Sequence, residues 1–458
     1  MATRVQTYIL TKDKSKKDFV LMADLCHKSK NLYNYVNYIV RNAFSGHPEN
    51  IEEYKDLIHD EKFISEFDLI SRLVKLDQVD YRALKAQCSQ QVVKQVFKSW
   101  KGFFSSLKSY KKNKSKFTGR PKLPSYKEKS GMNVLKFTNQ NCSFDKKKHW
   151  LKLDKKTRIK SVAFVGPFRE VRVVPKTGHF KIEVVYEKPE TEFVKFAKKT
   201  NRKIHSAALD IGVDNLATAT SDNPGVRPLI VNGRCVKSIN QFFNKKVAEL
   251  DCLYSKQHIK TGQKLQKFCL KRKMKIDDYF HKASRRLVEW FVKNDIGTVF
   301  IGHNDGWKQN ANIGKRNNQN FVQIPFDNFI KMLYYKADEI GIEVVVLNES
   351  HTSKCSFLDN EEIRHHDSYV GRRVKRGLFK SKTGRLLNAD VNGSLNILKR
   401  GLNKDFQVST SVFNPVLMKD ENEVRDAFKG IKPFDCQRIE GVCSAHLVEK
   451  PINESNGI

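Results

Sequence analysis

Three short apolar runs in the second half of the chain each stop at or beside an acid: "AAL" leads to Asp210, "VVVLN" to Glu349 and "LLNA" to Asp390. The segment carrying them alternates strand-like and helical patterns, as in "AALDIGVDNLATATSDN", "IGTVFIG", "PFDNFIKMLYYKADEIG" and "IEVVVLNES", which predicts an α/β sheet. In such a sheet the carboxyl ends of the strands face a common crevice. Three carboxylates there would line an oxygen-rich site for two Mg2+ or Mn2+ ions, which suits phosphodiester hydrolysis. Taken singly, each acid reads first as a turn residue or helix N-cap.

The charge points to the same class of substrate. Lys plus Arg number 85 against 50 Asp plus Glu, a net +35, which implies a polyanionic partner. A membrane surface is the competing polyanion. No apolar run approaches the length of a membrane span and "MATRVQTYILTKDK" does not read as a signal peptide, so the expected location is the cytoplasm of a bacterium, or the nucleus of a eukaryote. Nine cysteines without a CxxC pair argue for free, buried thiols in a reducing compartment.

The densest basic stretch runs from Gln91 to Ser130, with twelve Lys or Arg and one acid. Val93, Phe97, Trp100, Phe103, Phe104 and Leu107 recur there at helical spacing and read as core before base-stacking platforms. Lys111 to Lys129 lacks an apolar period and reads as a loop, whose Lys111, Lys112, Lys114, Lys116, Arg120, Lys122 and Lys127 suit phosphate contacts. Residues 18–110 are otherwise helical. Residues 132–187 switch to strand patterns, "KSVAFV", "EVRVVP" and "HFKIEVVYEK", and the initial "RVQTYIL" is expected to join that sheet. After the lysine-rich joint "KFAKKTNRKIHS" a new domain starts, and the basic bias ends after Gly401.

"LDIGVDNLAT", "DDYFHKASRRLVEW", "NNQNFVQIPFDNFIKMLYYKADEIGIEVVVLNESHTSKCSFLDNE", "VKRGLF" and "NADVNGSLNIL" together resemble the TnpB proteins of insertion sequences, relatives of Fanzor proteins and type V CRISPR effectors. The resemblance is specific over residues 200–400 and looser before them. It implies a multidomain α+β chain: a first wedge strand at 1–17, a helical recognition lobe with its basic loop at 18–130, a wedge β-barrel at 131–200 and an α/β RuvC-like (RNase H-like) nuclease domain at 201–400. A helical insertion at 237–295 and a lid at 351–385 fall within that domain, and a tail follows at 401–458.

The activity implied is RNA-guided DNA cleavage. Its partners would be a guide RNA and double-stranded target DNA recognised beside a short motif, with pairing reading the sequence and the protein neutralising phosphates. Asp210 in "LDIG" is then the first acid and Asp390 in "NADVNGS" the third. Many relatives place the second acid directly after the strand matching "TVFIG", where this chain has Gly302 and His303. Glu349, at the end of the adjacent strand, is the natural replacement and looks like the rearranged site of some TnpB and Fanzor groups; Asp305 is the weaker candidate. Relatives also often carry two CxxC pairs before the third acid. Here only Cys355, His351, His365 and His366 stand in the interval, so no bound zinc is expected. The loop containing Arg372, Arg373, Lys375 and Arg376 is expected to act as a basic lid that contacts nucleic acid. Two other readings use the same features: an RNA-guided DNA-binding repressor without cleavage, and a transposase that joins strands.

Overall fold

A computed structural model of the chain describes residues 2–59, 63–145, 147, 150–154, 157–160, 167–188, 190, 192–304 and 315–418. It divides into two compact units, with the boundary in sequence between residues 189 and 190.

The first unit opens with β1 (Ala2–Leu10) and the long helix α1 (Lys16–Ser45). Ser15 caps α1 by accepting from the Asp18 amide, and Gly46, at φ 73°, ends it in a left-handed turn that glycine adopts without strain. A small strand pair, β2 (Ile58–His59) and β3 (Phe63–Ile64), leads to α2 (Glu66–Lys75), the single turn α3 (Val79–Arg82) and α4 (Ala86–Lys112). The aromatic run on α4 is core: Trp100 is buried, donates to Asn37 Oδ1 at 2.9 Å, and stacks with Phe44, Phe103 and Phe104.

Strands β4 (Leu135–Thr138), β5 (Ser143–Asp145), β6 (Trp150–Asp154), β7 (Thr157–Lys160), β8 (Phe168–Lys176) and β9 (His179–Lys188) complete the unit. They pair as an antiparallel sheet in the order β1-β9-β8-β4 and a second sheet β5-β6-β7. The initial strand thus joins the later sheet, Ala2 opposite Lys188 through Leu10 opposite Phe180. Of the segment "KSVAFV", all but the lysine lies outside the described residues.

The second unit starts with α5 (Glu192–Thr200), a helix where the lysine-rich joint carried no helical expectation. Then come β10 (His205–Asp210), β11 (Asn215–Ser221), β12 (Leu229–Asn232), the long helices α6 (Arg234–Lys256) and α7 (Gln263–Lys293), and β13 (Ile296–Gly302). Helices α8 (Lys315–Val322) and α9 (Phe326–Glu339) lead to β14 (Glu343–Leu347). A three-stranded side sheet, β15 (Arg372–Lys375), β16 (Leu378–Lys380) and β17 (Leu386–Asn388), precedes α10 (Ala389–Leu402), and β18 (Val416–Leu417) closes the main sheet. That sheet runs β14-β13-β10-β11-β12-β18. Its β10, β13 and β14 are parallel, so their carboxyl ends lie together, while β11 returns antiparallel to β10.

Helix α10 is fixed by its polar residues as much as by Leu395 and Leu398. Ser394 Oγ donates to the Ala208 carbonyl of β10 at 3.0 Å. Asn392 accepts from the Phe357 amide and donates to the Cys355 carbonyl at 2.8 Å, and Asn396 donates to the Thr352 and Cys355 carbonyls. All three side chains are fully buried. We therefore expect Asn392→Ala to destabilise the protein by about 1–3 kcal/mol, because it strands a buried amide and carbonyl; equilibrium unfolding in urea measures this, and an unchanged midpoint would contradict it.

Candidate functional site

Asp210 is the last residue of β10, and Leu209 stands opposite Ile301 of β13. Gly302 ends β13 opposite Leu347, the last residue of β14, and His303 N–H donates to the Leu347 carbonyl at 2.9 Å, carrying the pairing one residue further. Glu349 follows two residues beyond β14. Its amide N–H donates to Asn304 Oδ1 at 3.0 Å, which fixes the backbone as it turns away.

From there the Glu349 side chain lies across the end of the middle strand. A Cβ built on Gly302 would stand 2.8 Å from Glu349 Oε2, 3.1 Å from its Cβ and 2.5 Å from Ile397 Cδ1. Any side chain at 302 would occupy the volume that Glu349 uses. Strands in a sheet are about 4.8 Å apart, so a residue on β14 must reach across β13 to approach β10; the glycine leaves the way open. The glycine that ends β13 is the gap through which the acid from the neighbouring strand passes.

The third acid arrives differently from expectation. Asp390 does not end a strand of the main sheet: β17 belongs to the side sheet, and Asp390 sits in the first turn of α10. A carboxylate there is favoured by the free N–H groups of the helix end. The capping role falls to Asn388, whose Oδ1 accepts from the Asp390 and Val391 amides at 2.9 and 3.2 Å. Asp390 is thereby left for other partners: Asn215 Nδ2 donates to its Oδ2 at 2.6 Å, and Arg373 Nη2 lies 3.4 Å from its Oδ1. Likewise the turn after Glu349 uses the Glu349 carbonyl, which accepts from Thr352 N and Oγ1, not the carboxylate.

Asp210 is half-buried against the same helix. A Cβ on Gly393 would lie 2.5 Å from Asp210 Oδ2, so this glycine gives the carboxylate its room. Glycine inside a helix costs about 1 kcal/mol relative to alanine, and here it has a steric reason. The Asp210 carboxyl is held well above the usual range, chiefly by burial and then by the charges of Asp390 and Glu349, against which Arg373 acts. Burial pushes Glu349 up to about 7. Asp210 thus feels the charge of two other acids, beside two glycines that leave the carboxylates room. Among the described residues no group of three or more His, Cys, Asp or Glu side chains stands arranged to hold a metal ion, and Asp390 is engaged by Asn215 and Arg373. Asp305 lies outside the described residues.

The basic candidates fall in both units. In the first, Lys111 and Lys112 form the last turn of α4, which runs further than the sequence pattern, and Lys114 and Lys116 sit in a single 3-10 turn. These four, Arg120 and Lys122 are exposed, whereas Lys127 is half-buried with its Nζ 4.5 Å from the Tyr33 ring centroid. The rest of the basic loop is not a free linker. Side chains of α1 hold its backbone: Asn37 donates to the Pro124 carbonyl, Asn34 pairs with both Lys127 N–H and C=O, and Lys30 donates to the Lys129 carbonyl. In the second unit Arg372, Arg373 and Lys375 lie on β15, all exposed; Arg376 follows and pairs with Asp214.

Cys355 is buried and its thiol donates to the Glu362 and Arg364 carbonyls, while His366 contacts the Glu362 carbonyl and His351 meets Tyr369. The described cysteines are free, but Cys235, Cys252 and Cys269, on α6 and α7, are exposed, contrary to the expectation of burial. Among the described residues no helix is long and apolar enough to cross a membrane. Sequence reading missed Gly393, Asn388, Asn215 and Asn304 as parts of the site; a glycine inside an otherwise helical pattern was the available signal.

Residues 181–308 match the OrfB_IS605 family, described as "Probable transposase", and residues 326–397 match "Cas12f1-like, TNB domain". The chain is 29% identical over 191 residues to TnpB-like protein MJ0751 of Methanocaldococcus jannaschii, covering 39% of this chain and 66% of that one. It is 24% identical over 241 residues to TnpB-like protein ORF457 of Acidianus two-tailed virus, covering 50% and 48%. It is 30% identical over 126 residues to CRISPR-associated endodeoxyribonuclease Cas12f1 of Sulfoacidibacillus thermotolerans, covering 27% of each. Each match covers less than two thirds of the relative's own length. Among solved structures, a Cas12f1-sgRNA-target DNA complex aligns over 84% of both chains at 15% identity and TM-score 0.46, and the mini-RNA-guided endonuclease CRISPR-Cas_phi3 over 89% and 93% at 9% identity and TM-score 0.43.

The raised carboxyls predict an unusual pH response. Glu349 takes up its proton near pH 7 when folded and near 4.5 when unfolded, so between these values the folded state holds more protons and stability falls as pH rises. Without divalent ions the melting temperature should fall from pH 5 to pH 8 through this group, and Glu349→Gln should flatten that slope and raise stability at pH 8. A variant no more stable than the parent at pH 8 would contradict the burial of a charged Glu349.

Proposed function

We propose that this TnpB-family protein, a relative of the type V CRISPR effectors, is an RNA-guided DNA endonuclease with a single RuvC-like, RNase H-like site at Asp210, Glu349 and Asp390. The first unit then corresponds to a helical recognition lobe with a wedge, and the second to the nuclease domain. The partners are a guide RNA and double-stranded DNA that pairs with it beside a short motif. The net +35 supports this, since guide and target together present many phosphates that base pairing does not neutralise.

The observation that carries the proposal is Glu349 lying over Gly302 beside the ends of β10 and β13. A glutamate serving only its own turn has no need of a cleared path across the neighbouring strand. Two divalent cations, when bound, would supply water activation and charge neutralisation on the leaving oxygen. Asp210, packed against α10, would hold them together with Glu349 and Asp390. Asn215 orients Asp390, and Asn304 fixes the turn that aims Glu349. Arg373 neutralises Asp390 while no cation does so. On the β15 hairpin, Arg372, Lys375 and Arg376 provide phosphate contacts beside the acids.

A reading without cleavage has one observation in its favour: the acids do not stand in a ready-made cage. The experiment that separates the two is guided cleavage by the protein purified with its own RNA. Sequencing that RNA should return a transposon-end or repeat-derived scaffold; random fragments would count against guiding.

With guide and target supplied, Asp210→Ala, Asp390→Ala and Glu349→Gln should each reduce cleavage at least a hundredfold while leaving target binding within a few fold. Retained cutting by Glu349→Gln would remove it from the site. Gly302→Ala should behave like Glu349→Gln, because its methyl group stands in the path of the carboxylate; full activity in a folded Gly302→Ala protein would refute the shared-space argument.

A further inference from the structure

The first unit contains a cavity of about 340 Å³ lined by Tyr33, Ser99, Phe103, Lys122, Pro124, Ser125 and Lys127. It brings two ammonium groups to one hollow, and no carboxylate is among its lining residues. Lys127 is half-buried, and among the described residues its Nζ contacts the face of Tyr33 and no acid. Desolvation lowers its pKa, as expected of a cation that gives up water without gaining a counter-charge. The walls are rigid. Tyr33 is buried in the core, and the Lys127 backbone is held at both N–H and C=O by Asn34, with Asn37 on the Pro124 carbonyl. The Ser99 hydroxyl is spent on the Gln95 carbonyl, which leaves Lys122, Lys127 and the exposed Ser125 as donors facing a ligand.

We propose that this cavity seats one phosphodiester group of a bound nucleic-acid strand, held by Lys122, Lys127 and the Ser125 hydroxyl. The inference rests on the nucleic-acid-binding reading above and deepens it. The exposed Lys111, Lys112, Lys114 and Lys116 supply a general attraction that any backbone satisfies. The cavity supplies one fixed contact that sets where along α1 and α4 the strand must lie. Its volume, at the small end of ligand pockets, admits a phosphate with part of its sugar and no base stacked on the buried Tyr33.

The test uses the full chain with labelled single-stranded RNA, single-stranded DNA and duplex DNA, titrated across a range of salt. Lys127→Ala should weaken binding about tenfold and reduce the salt slope by about one. Lys127→Arg should retain most of the affinity, which a purely structural lysine over Tyr33 does not require. A neutral methylphosphonate placed at each linkage in turn should find one linkage that costs the parent protein about tenfold and costs Lys127→Ala nothing further. Whichever strand type contains that linkage is the occupant. Equal losses at every linkage in both proteins would overturn the seat while leaving general nucleic-acid binding intact. No binding of any strand by the parent would instead overturn the underlying reading together with the seat. A melting-temperature rise with inorganic phosphate alone, abolished by Lys127→Ala and without any linkage effect, would assign the cavity to free phosphate and refute the proposal.

Discussion

The removal of carboxylates from water at one end of a sheet, with Asp210 also facing two acids of like charge, is the constraint that organises the second unit. Asp210 is half-buried, and its charge is disfavoured by desolvation and by two neighbours of the same sign. A chain selected for stability alone would place apolar residues there. The surroundings are instead arranged to tolerate the conflict: glycines at 302 and 393 leave room, a helix N-terminus favours Asp390, and Asn215 and Arg373 occupy its oxygens. The buried asparagines of α10 belong to the same arrangement. By tying the helix to the carbonyls of Thr352 and Cys355, Asn392 and Asn396 fix the rotation of α10 and so the direction in which Asp390 faces.

Much of this architecture could be read from residues. The strands "AALD" and "IGTVFIG" and the long helices are strongly periodic, and the acids stood out because each interrupted an apolar run. What could not be read were relations between distant segments. That Asp390 comes from a helix rather than a main-sheet strand depends on "LLN" pairing with the side sheet, a choice of partner that local pattern does not encode. The absence of an acid at Gly302 was legible, but that the glycine makes space for Glu349 needed the register of β13 against β14. The lysines of the joint "KFAKKTNRKIHS" hide the end of a helix, Glu192–Thr200, that turns Val194 and Ala197 inward.

The region between Glu349 and Asp390 is a compact knuckle rich in hydrogen bonds. Glu361 is buried and accepts from the Ser356 and Val370 amides, Asp359 accepts from Ser356 Oγ and the Lys382 amide, and the Cys355 thiol closes on two carbonyls. These carboxylates gather the turns of a short loop around one point. In the first unit side chains of α1 play a comparable part, laying residues 124–134 along the helix so that a stretch rich in lysine and proline has a defined course.

Taking the second acid from β14 has a consequence for how the site can fail. β14 is the outermost strand of the main sheet, paired on one side only, and the segment that carries Glu349 leaves it within two residues. Edge strands fray and slip more readily than central ones, and a slip of one residue exchanges the two faces. Asp210, on an interior strand, and Asp390, on a helix locked by buried amides, would stay in place through such an event while Glu349 swung away. The position of Glu349 thus depends on an edge strand of the sheet: whatever grips or releases that border, whether a ligand, a neighbouring chain or heat, would move this carboxylate while Asp210 and Asp390 stay where they are.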